Sequence, residues 1–238
     1  MKSIKLSLVA AVLATSGLVS SVSANELEIS GNASLVSNYV WRGMTQTSDS
    51  PAVQGGVDLA YGGFYTGVWG SAVDFDDTDN GTASSEFDIY AGYAGEVGKF
   101  SYDVGVIQYM YPNATEAYNF SEAYLSVGYD FDFMAVGAMY YHGLDADTEG
   151  SDSFGDGYEL SVSVPLPMDI SLDATYGDYD NTDEDEGGND NAYGEYYSVS
   201  LTKTFGKFDV SVAYTEMDFE DADTEDQDAV VASIGMSF

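Results

Sequence analysis

Apolar and polar residues alternate one by one, in segments of roughly ten residues, along most of the chain. In the last segment, Val230, Ala232, Ile234 and Met236 share one face, and mostly small residues occupy the other. A period of two residues is typical of a β-strand with a single apolar face. Such segments lie at roughly 27–42, 51–61, 64–75, 85–96, 99–110, 119–129, 132–142, 156–165, 169–179, 193–205, 207–217 and 228–238. The pattern predicts an all-β protein of twelve strands, the seventh of which has two fairly apolar faces and no clear orientation.

The connections between these segments alternate between short and long. The short ones are Gly62-Gly63, Val97-Gly98, Asp130-Phe131, Leu166-Pro167-Met168 and Gly206, and the long ones are 43–50, 76–84, 111–118, 143–155, 180–192 and 218–227. Short periplasmic turns and longer extracellular loops are typical of outer-membrane barrels with an even number of strands. After residue 24 no stretch approaches the roughly 20 apolar residues of a membrane helix, so residence in a membrane requires a closed barrel.

We therefore predict a single antiparallel transmembrane β-barrel over residues 25–238, with short periplasmic turns and longer acidic extracellular loops. A soluble β-sandwich is the alternative, because its strands alternate in the same way with one face in a core. Aromatic residues near the strand ends, such as Tyr39, Trp41, Phe64 and Tyr93, favour the membrane barrel, since aromatic girdles mark both membrane interfaces.

Both ends of the chain indicate export. Residues 1–24 place Lys2 and Lys5 before an apolar run and close on Val22-Ser23-Ala24, which is the pattern of a secretory signal peptide. The mature chain is then expected to begin at Asn25. The terminal Phe238 closes an amphipathic last strand and resembles the signal that the outer-membrane insertion machinery reads. We predict a location in the outer membrane of a Gram-negative bacterium.

Acidic residues dominate the charge of the chain. It contains 41 Asp and Glu against six Lys and Arg, and its formal net charge is −35. This balance argues against a nucleic-acid partner, because phosphate backbones require basic surface. The acids concentrate in the long loops, where they should attract cations over anions and loosely gather Ca²⁺ or Mg²⁺. Outer-membrane lipid and lipopolysaccharide are the expected surroundings of such a barrel.

Three stretches of the chain resemble a known family. They are 34–47 with its Tyr39-Val40-Trp41-Arg42-Gly43-Met44-Thr45-Gln46 core, 51–71 with Pro51-Ala52-Val53-Gln54-Gly55-Gly56 and Gly67-Val68-Trp69-Gly70-Ser71, and 93–106 with Tyr93-Ala94-Gly95-Glu96-Val97-Gly98. Together they are similar to the TorF-type family of porin-like outer-membrane proteins of proteobacteria, over essentially the whole mature chain. The resemblance implies an outer-membrane barrel with a transport role, and it brings neither a substrate nor catalytic residues.

Arg42 is the only arginine in the chain. Alternation along the first segment places it on the face that should line the lumen, where we expect acids as well. The candidates for a lumen or constriction role are Arg42, Asp58, Asp88, Asp103 and Asp173. Arg42 is expected to pair with a lumen acid such as these or to line a constriction. It is either part of a structural salt bridge at the outer rim or a selectivity element that binds an anionic group.

One acidic loop mimics a calcium-binding loop. Asp145, Asp147 and Glu149 alternate before Gly150, and Asp156 stands at the twelfth place. The fifth and twelfth ligands are atypical, however, and no helices flank the segment. A specific calcium site and a solvated acidic rim that loosely binds divalent cations therefore both remain open.

The function that these features predict is passive passage of small solutes, with a preference for cations. The alternative is a closed structural or surface-interaction barrel whose acidic loops bind divalent cations, lipopolysaccharide or a partner. An enzyme is not expected. His142 is the only histidine, and although Ser151 and Ser153 are near it in sequence, nothing indicates that they converge into a catalytic site.

Overall fold

The computed structural model describes residues 26–77, 81–112, 114, 119–144, 155–180, 193–220 and 224–238. Their strands are β1 (Glu28–Val36), β2 (Val40–Trp41), β3 (Met44–Thr45), β4 (Ala52–Tyr61), β5 (Phe64–Asp77), β6 (Gly81–Val97), β7 (Phe100–Met110), β8 (Phe120–Asp130), β9 (Ala135–Gly143), β10 (Asp156–Leu166), β11 (Ile170–Asp180), β12 (Gly194–Phe205), β13 (Phe208–Phe219) and β14 (Gln227–Ser237). Within these residues no helix is long and apolar enough to cross a membrane. The predicted signal peptide lies outside the described residues.

Twelve of the described strands form one closed antiparallel barrel, in the order β1-β14-β13-β12-β11-β10-β9-β8-β7-β6-β5-β4, and β2 pairs only with β3. The barrel closes where β1 pairs with both β4 and β14. At this seam Gly31 and the terminal Phe238 exchange two backbone hydrogen bonds of 2.9 and 3.0 Å. The prediction of a single twelve-stranded antiparallel barrel is confirmed, and a sandwich of two sheets is excluded.

Charged side chains lie inside the barrel and apolar side chains lie outside, which is the reverse of the distribution in a soluble protein. Asp88, Glu122 and Asp173 on the inner face are at most 2% exposed, whereas Val53 and Val230 on the outer face are about 70% exposed. Lipid solvates an apolar outer face at no cost, while ionisable groups are placed in the lumen. Strand β9, whose orientation the sequence left open, turns Tyr141 inward and Tyr140 outward.

The turns at one end of the barrel are short, as predicted. They comprise 62–63, 98–99, 131–134, 167–169 and 206–207. The exposed amine of Lys99 pairs there with Asp132, and this hydrogen bond raises the pKa of Lys99. The connections at the other end are longer, except the one between β5 and β6, so the predicted alternation is confirmed for all but that connection.

Two predicted boundaries are wrong. The first strand ends at Val36, not at residue 42, because the chain then turns into the barrel. The predicted loop 76–84 is largely strand, since β5 and β6 continue to pair up to Asp77 and Gly81. Tyr39 is consequently buried inside the barrel rather than standing in an outer aromatic girdle. Phe64 and Tyr93 do lie on the outer face, where their rings contact edge to face.

Candidate functional site in the barrel lumen

Residues 37–51, here called the inner loop, fold into the lumen at the long-loop end. Their centre is a hairpin in which β2 and β3 are joined by the two residues Arg42 and Gly43. Both have positive φ, 48° and 83°, as a type I′ turn requires. Glycine adopts this conformation freely, whereas it is unfavourable for arginine. The backbone at Arg42 is therefore strained, and this strain accompanies its position at the hairpin tip.

The inner loop is held in shape by Asn38, whose side chain is almost fully buried. Its Oδ1 accepts hydrogen bonds from the hydroxyls of Thr45 at 2.7 Å and Thr47 at 3.0 Å. Its Nδ2 donates to Asp49 at 2.7 Å. The backbone amide of Tyr39 donates to the Thr47 hydroxyl at 3.1 Å. These bonds satisfy the loop internally, which allows it to cross the lumen as one rigid unit.

The guanidinium of Arg42 reaches the far wall of the barrel. Its Nη1 and Nη2 donate hydrogen bonds of 2.7 and 2.8 Å to the two carboxylate oxygens of Glu122 on β8. Its Cζ lies 4.1, 3.5 and 4.6 Å from the ring centroids of Trp41, Tyr141 and Tyr179. In the ring order β9 and β10 stand opposite β1 and β4, between which the inner loop begins and ends, and β8 lies next to β9. The hairpin therefore spans the lumen and is locked by a bidentate ion pair inside an aromatic cage.

Further contacts anchor the flanks of the inner loop. The Tyr39 hydroxyl donates to Glu86 on β6 at 2.9 Å, and the Thr45 amide donates to the Gln227 side chain on β14 at 3.0 Å. Gly43 passes so close to β13 that an added Cβ would lie 2.8 Å from Cβ of Met217. Between the inner loop and β14 lies a cavity of about 240 Å³, lined by Val40, Gly43, Thr45 and Asp49 and by residues 226–229. This acidic cavity is the space that the loop leaves beside itself.

The structure places all four predicted lumen acids on the inner face. Asp58 accepts from the Tyr90 hydroxyl at 2.5 Å, Asp103 from Tyr65 at 2.7 Å, and Asp173 from Ser163 at 2.6 Å and Ser171 at 2.8 Å. Asp88 is fully buried without a hydrogen-bond partner among the described residues.

Arg42 pairs with an acid of the lumen, but not with any of these four. Its partner is Glu122, which the sequence reading did not single out. Arg42 also stands at the tip of a hairpin rather than on the inner face of β1. It reaches the lumen because the whole loop folds inward.

A second feature that sequence reasoning missed is the pairing of inner tyrosines with glycines. The Tyr90 ring lies over Gly67 of the neighbouring strand and so reaches Asp58 one strand further on. Tyr65 crosses Gly92 to reach Asp103, and Tyr196 crosses Gly177 to reach Glu159 at 3.1 Å. A larger residue at the glycine would hold the ring away from the wall. Glycines inside strands that also carry tyrosines and acids are the sequence signal for this arrangement.

We expect Gly177→Ala to destabilise the barrel by about 1–3 kcal/mol, the usual cost of overpacking. The added Cβ would lie 2.1 Å from Cζ of Tyr196, so the ring must leave its bond to Glu159. The measurement is denaturant unfolding of the refolded protein in detergent. Gly235→Ala is the matched control, because its nearest contact, Cβ of Ser34, would be at 3.4 Å. Equal stability of the two variants would show that the position of the Tyr196 ring does not depend on the absence of a side chain at Gly177.

Small residues are frequent in the wall of the lumen formed by β10 to β14, where Ser163, Thr175, Ala213 and Val231 are buried. Larger side chains buried in the same wall are Tyr179, Tyr196 and Met217. The opposite wall, from β4 to β9, carries Tyr65, Tyr90, Tyr109 and Tyr141 and most of the buried acids.

His142 lies on the outer face of β9, where its Nδ1 pairs with Asp156, which also accepts a hydrogen bond from the Tyr140 hydroxyl. Asp156 is thus engaged in contacts with a neighbouring strand. The other predicted calcium ligands, Asp145, Asp147 and Glu149, lie outside the described residues, as do Ser151 and Ser153. Among the residues that the structure describes, no three His, Cys, Asp or Glu side chains converge as a metal site.

A family model described as "Bacterial protein of unknown function (Gcw_chp)" matches residues 21–238. Among solved structures, the KdgM porin is similar with a TM-score of 0.58 and 11% identity, over 88% of this chain and 98% of that chain. A KdgM porin in complex with disordered oligogalacturonate has a TM-score of 0.56 and 10% identity, over 88% and 97% of the two chains. The NanC porin has a TM-score of 0.55 and 12% identity, over 89% and 99%. None of the curated proteins is similar in sequence to this chain. At these identities the likeness establishes a porin-type fold.

Proposed function

The chain belongs to the bacterial Gcw_chp family, and from its porin-type barrel we propose that it is an outer-membrane pore for passive passage of small solutes, with a preference for cations. The observation that carries the proposal is the charge of the lumen. The acids on the described inner wall include Asp58, Glu86, Asp88, Asp103, Glu122, Glu159 and Asp173, which are buried or partly buried. Arg42, which lies inside the same described lumen, is bound to one of them. The resemblance to TorF-type porin-like proteins agrees with this proposal.

The sign of this charge bears on the class of solute. Oligogalacturonate, which is present in one of the similar KdgM structures, is a polyanion. An acidic lumen repels polyanions and concentrates cations, because low-dielectric walls focus the field of fixed charges into the passage. We therefore propose cations and small neutral molecules as solutes, not acidic oligosaccharides. The shared fold does not transfer a substrate.

The inner loop sets the size limit in this proposal. Its hairpin crosses the lumen, and the acidic cavity beside β14 is lined by Asp49 together with residues 226–229. Small solutes would pass beside the hairpin and continue along the wall formed by β10 to β14. The ion pair between Arg42 and Glu122 holds the hairpin in place, so the predicted constriction role of Arg42 is proposed in a revised form: it positions the constriction.

The outer rim of the barrel carries acidic side chains that face the surrounding lipopolysaccharide in this proposal. On the outer face, Asp178, Glu195 and Asp218 stand directly opposite one another on three adjacent strands, next to the partly buried Tyr197 and the exposed Tyr214. Like charges in this register repel unless counterions neutralise them. We propose that the rim loosely binds Ca²⁺ or Mg²⁺ between the protein and lipopolysaccharide.

We also propose that a signal peptide directs export and that the strand ending at Phe238 is read by the insertion machinery.

The experiment is conductance of the refolded mature chain in a planar bilayer under a KCl gradient. We expect discrete steps and a reversal potential of the sign that K⁺ permeation requires. The preference should shrink as total salt rises, because counterions screen the exposed part of the charge. Absence of steps from a protein whose gel mobility shifts on heating, as a folded barrel's does, would reject the pore. It would favour the closed barrel that binds ions or partners at its surface.

A further inference from the structure

Carboxylate oxygens without partners gather on one part of the inner wall. Six buried side-chain oxygens in the described residues have no hydrogen-bond partner, and four of them belong to Asp58, Glu86 and Asp88. Asp58 lies on β4 and the other two lie on β6, with only β5 between these strands. Asp88 is the extreme case, because both of its oxygens lack a partner and its exposure is 0%.

Buried carboxylates without partners lower the stability of the folded barrel. A buried charge without a partner destabilises a folded protein strongly, and like charges nearby add to the effect. Glu86 and Asp88 are two residues apart on β6, so their side chains share the inner face at a spacing of about 7 Å along the strand. Buried groups of this kind in native proteins commonly mark a water or an ion.

Protonation does not meet the hydrogen-bonding requirements of the buried Asp88 side chain. Protonation removes its charge but leaves a buried hydroxyl donor and a buried carbonyl acceptor, and no described residue hydrogen-bonds to either oxygen. The other inner acids differ in this respect. Glu122 has Arg42 and Tyr109, and both oxygens of Asp173 accept from serine hydroxyls.

We propose that Glu86 and Asp88 bind one divalent cation, Ca²⁺ or Mg²⁺, in the wall of the lumen. A divalent cation neutralises both carboxylates, and it holds oxygen ligands at about 2.0–2.6 Å, closer than a hydrogen-bonded water. Both oxygens of Asp88 can coordinate, and the Glu86 carboxylate, which also interacts with the Tyr111 hydroxyl, supplies Oε2. The remaining positions belong to lumen water, as is usual where one or two carboxylates hold Mg²⁺.

The site also couples to the inner loop. Oε1 of Glu86 already accepts the Tyr39 hydroxyl of that loop at 2.9 Å. A cation on the other oxygen fixes the Glu86 side chain and hence one flank of the hairpin. An ion bound in the wall is part of the barrel whether or not the lumen conducts, so the cation site does not depend on the passage of solutes.

Terbium luminescence tests the site without any measurement of current. Tb³⁺ replaces Ca²⁺ at oxygen sites and emits when a nearby tryptophan is excited. The chain has only two tryptophans, and Trp69 is the cross-strand partner of Asp88 on the inner face. Selective tryptophan excitation of the refolded protein should therefore give terbium emission that Ca²⁺ competes away. Asp88→Asn should reduce this emission to the level of Trp69→Phe.

Asp173→Asn is the matched control, since it removes an inner acid whose oxygens are both hydrogen-bonded, and it should keep the wild-type emission. A second readout is thermal stability, which Ca²⁺ should raise in the wild type more than in Asp88→Asn. Emission and calcium stabilisation that are equal in the wild type and Asp88→Asn would overturn the proposal and assign the terbium to the acidic loops. A barrel that conducts but fails these tests would retain the proposed pore and lose the cation site.

Discussion

Replacing Arg42 with alanine should destabilise the barrel by about 3–5 kcal/mol and increase its single-channel conductance. The variant leaves Glu122 buried with an uncompensated charge and removes the cation from a cage of three aromatic rings. The hairpin tip then loses its attachment to the far wall, and the inner loop no longer holds the lumen narrow. Urea unfolding followed by tryptophan fluorescence measures the first effect, because Trp41 lies in the loop itself.

Two further variants make this result specific. The double variant Arg42→Ala with Glu122→Gln should recover part of the lost stability, since it leaves no unpaired charge, while conductance stays high. Lys99→Ala breaks an exposed pair at the short-turn end and should leave both quantities near the wild type. A stable Arg42→Ala barrel of unchanged conductance would show that the ion pair does not hold the constriction.

Replacing Leu160 with arginine should destabilise the barrel by about 2–4 kcal/mol, the cost of a cation at the lipid-facing midplane. Leu160 lies near the middle of β10, and its side chain is half exposed on the outer face. In lipid this position has no water and no counterion for the guanidinium. Unfolding of the refolded protein from lipid vesicles measures the loss.

Ser161→Arg is the control, because the next residue of the same strand faces the lumen, where water and acidic side chains solvate a cation. Its cost should be clearly smaller. Equal losses for the two variants would contradict the assignment of an outer face to lipid and an inner face to a polar lumen. These two variants, at neighbouring positions of β10, therefore test which face of the strand is turned to lipid and which to the lumen.

The strands were predictable because their signal is local. The alternation of Val210, Val212 and Tyr214 with Asp209, Ser211 and Ala213 states which residues share a face before any partner strand is known. The same alternation placed Asp58, Asp88, Asp103 and Asp173 on the inner face, where the structure has them. Strand ends were less predictable, because the continuation of β5 and β6 to Asp77 and Gly81 depends on their pairing with each other.

The inner loop escaped prediction for a physical reason. Its alternating residues Tyr39 and Trp41 imitate the end of a strand, and Arg42-Gly43 is a less familiar type I′ turn than Asn-Gly. The Asn38 side chain that organises the loop bonds to residues up to eleven positions away, which no strand pattern expresses. The tyrosines over glycines escaped for a similar reason, since each contact joins different strands.

By itself the sequence determined the class of fold, the number and faces of the strands, and the sign of the charge, because these depend on composition and on neighbours along the chain. Only the tertiary structure decided that Arg42 binds Glu122, 80 residues away, and that Asp88 is left without a partner. Closure of the barrel brings β8, four strands away from β4, within reach of the inner loop, and that geometry is a property of the whole ring. Which lumen charges meet is therefore set by the register of twelve strands together, not by any one of them.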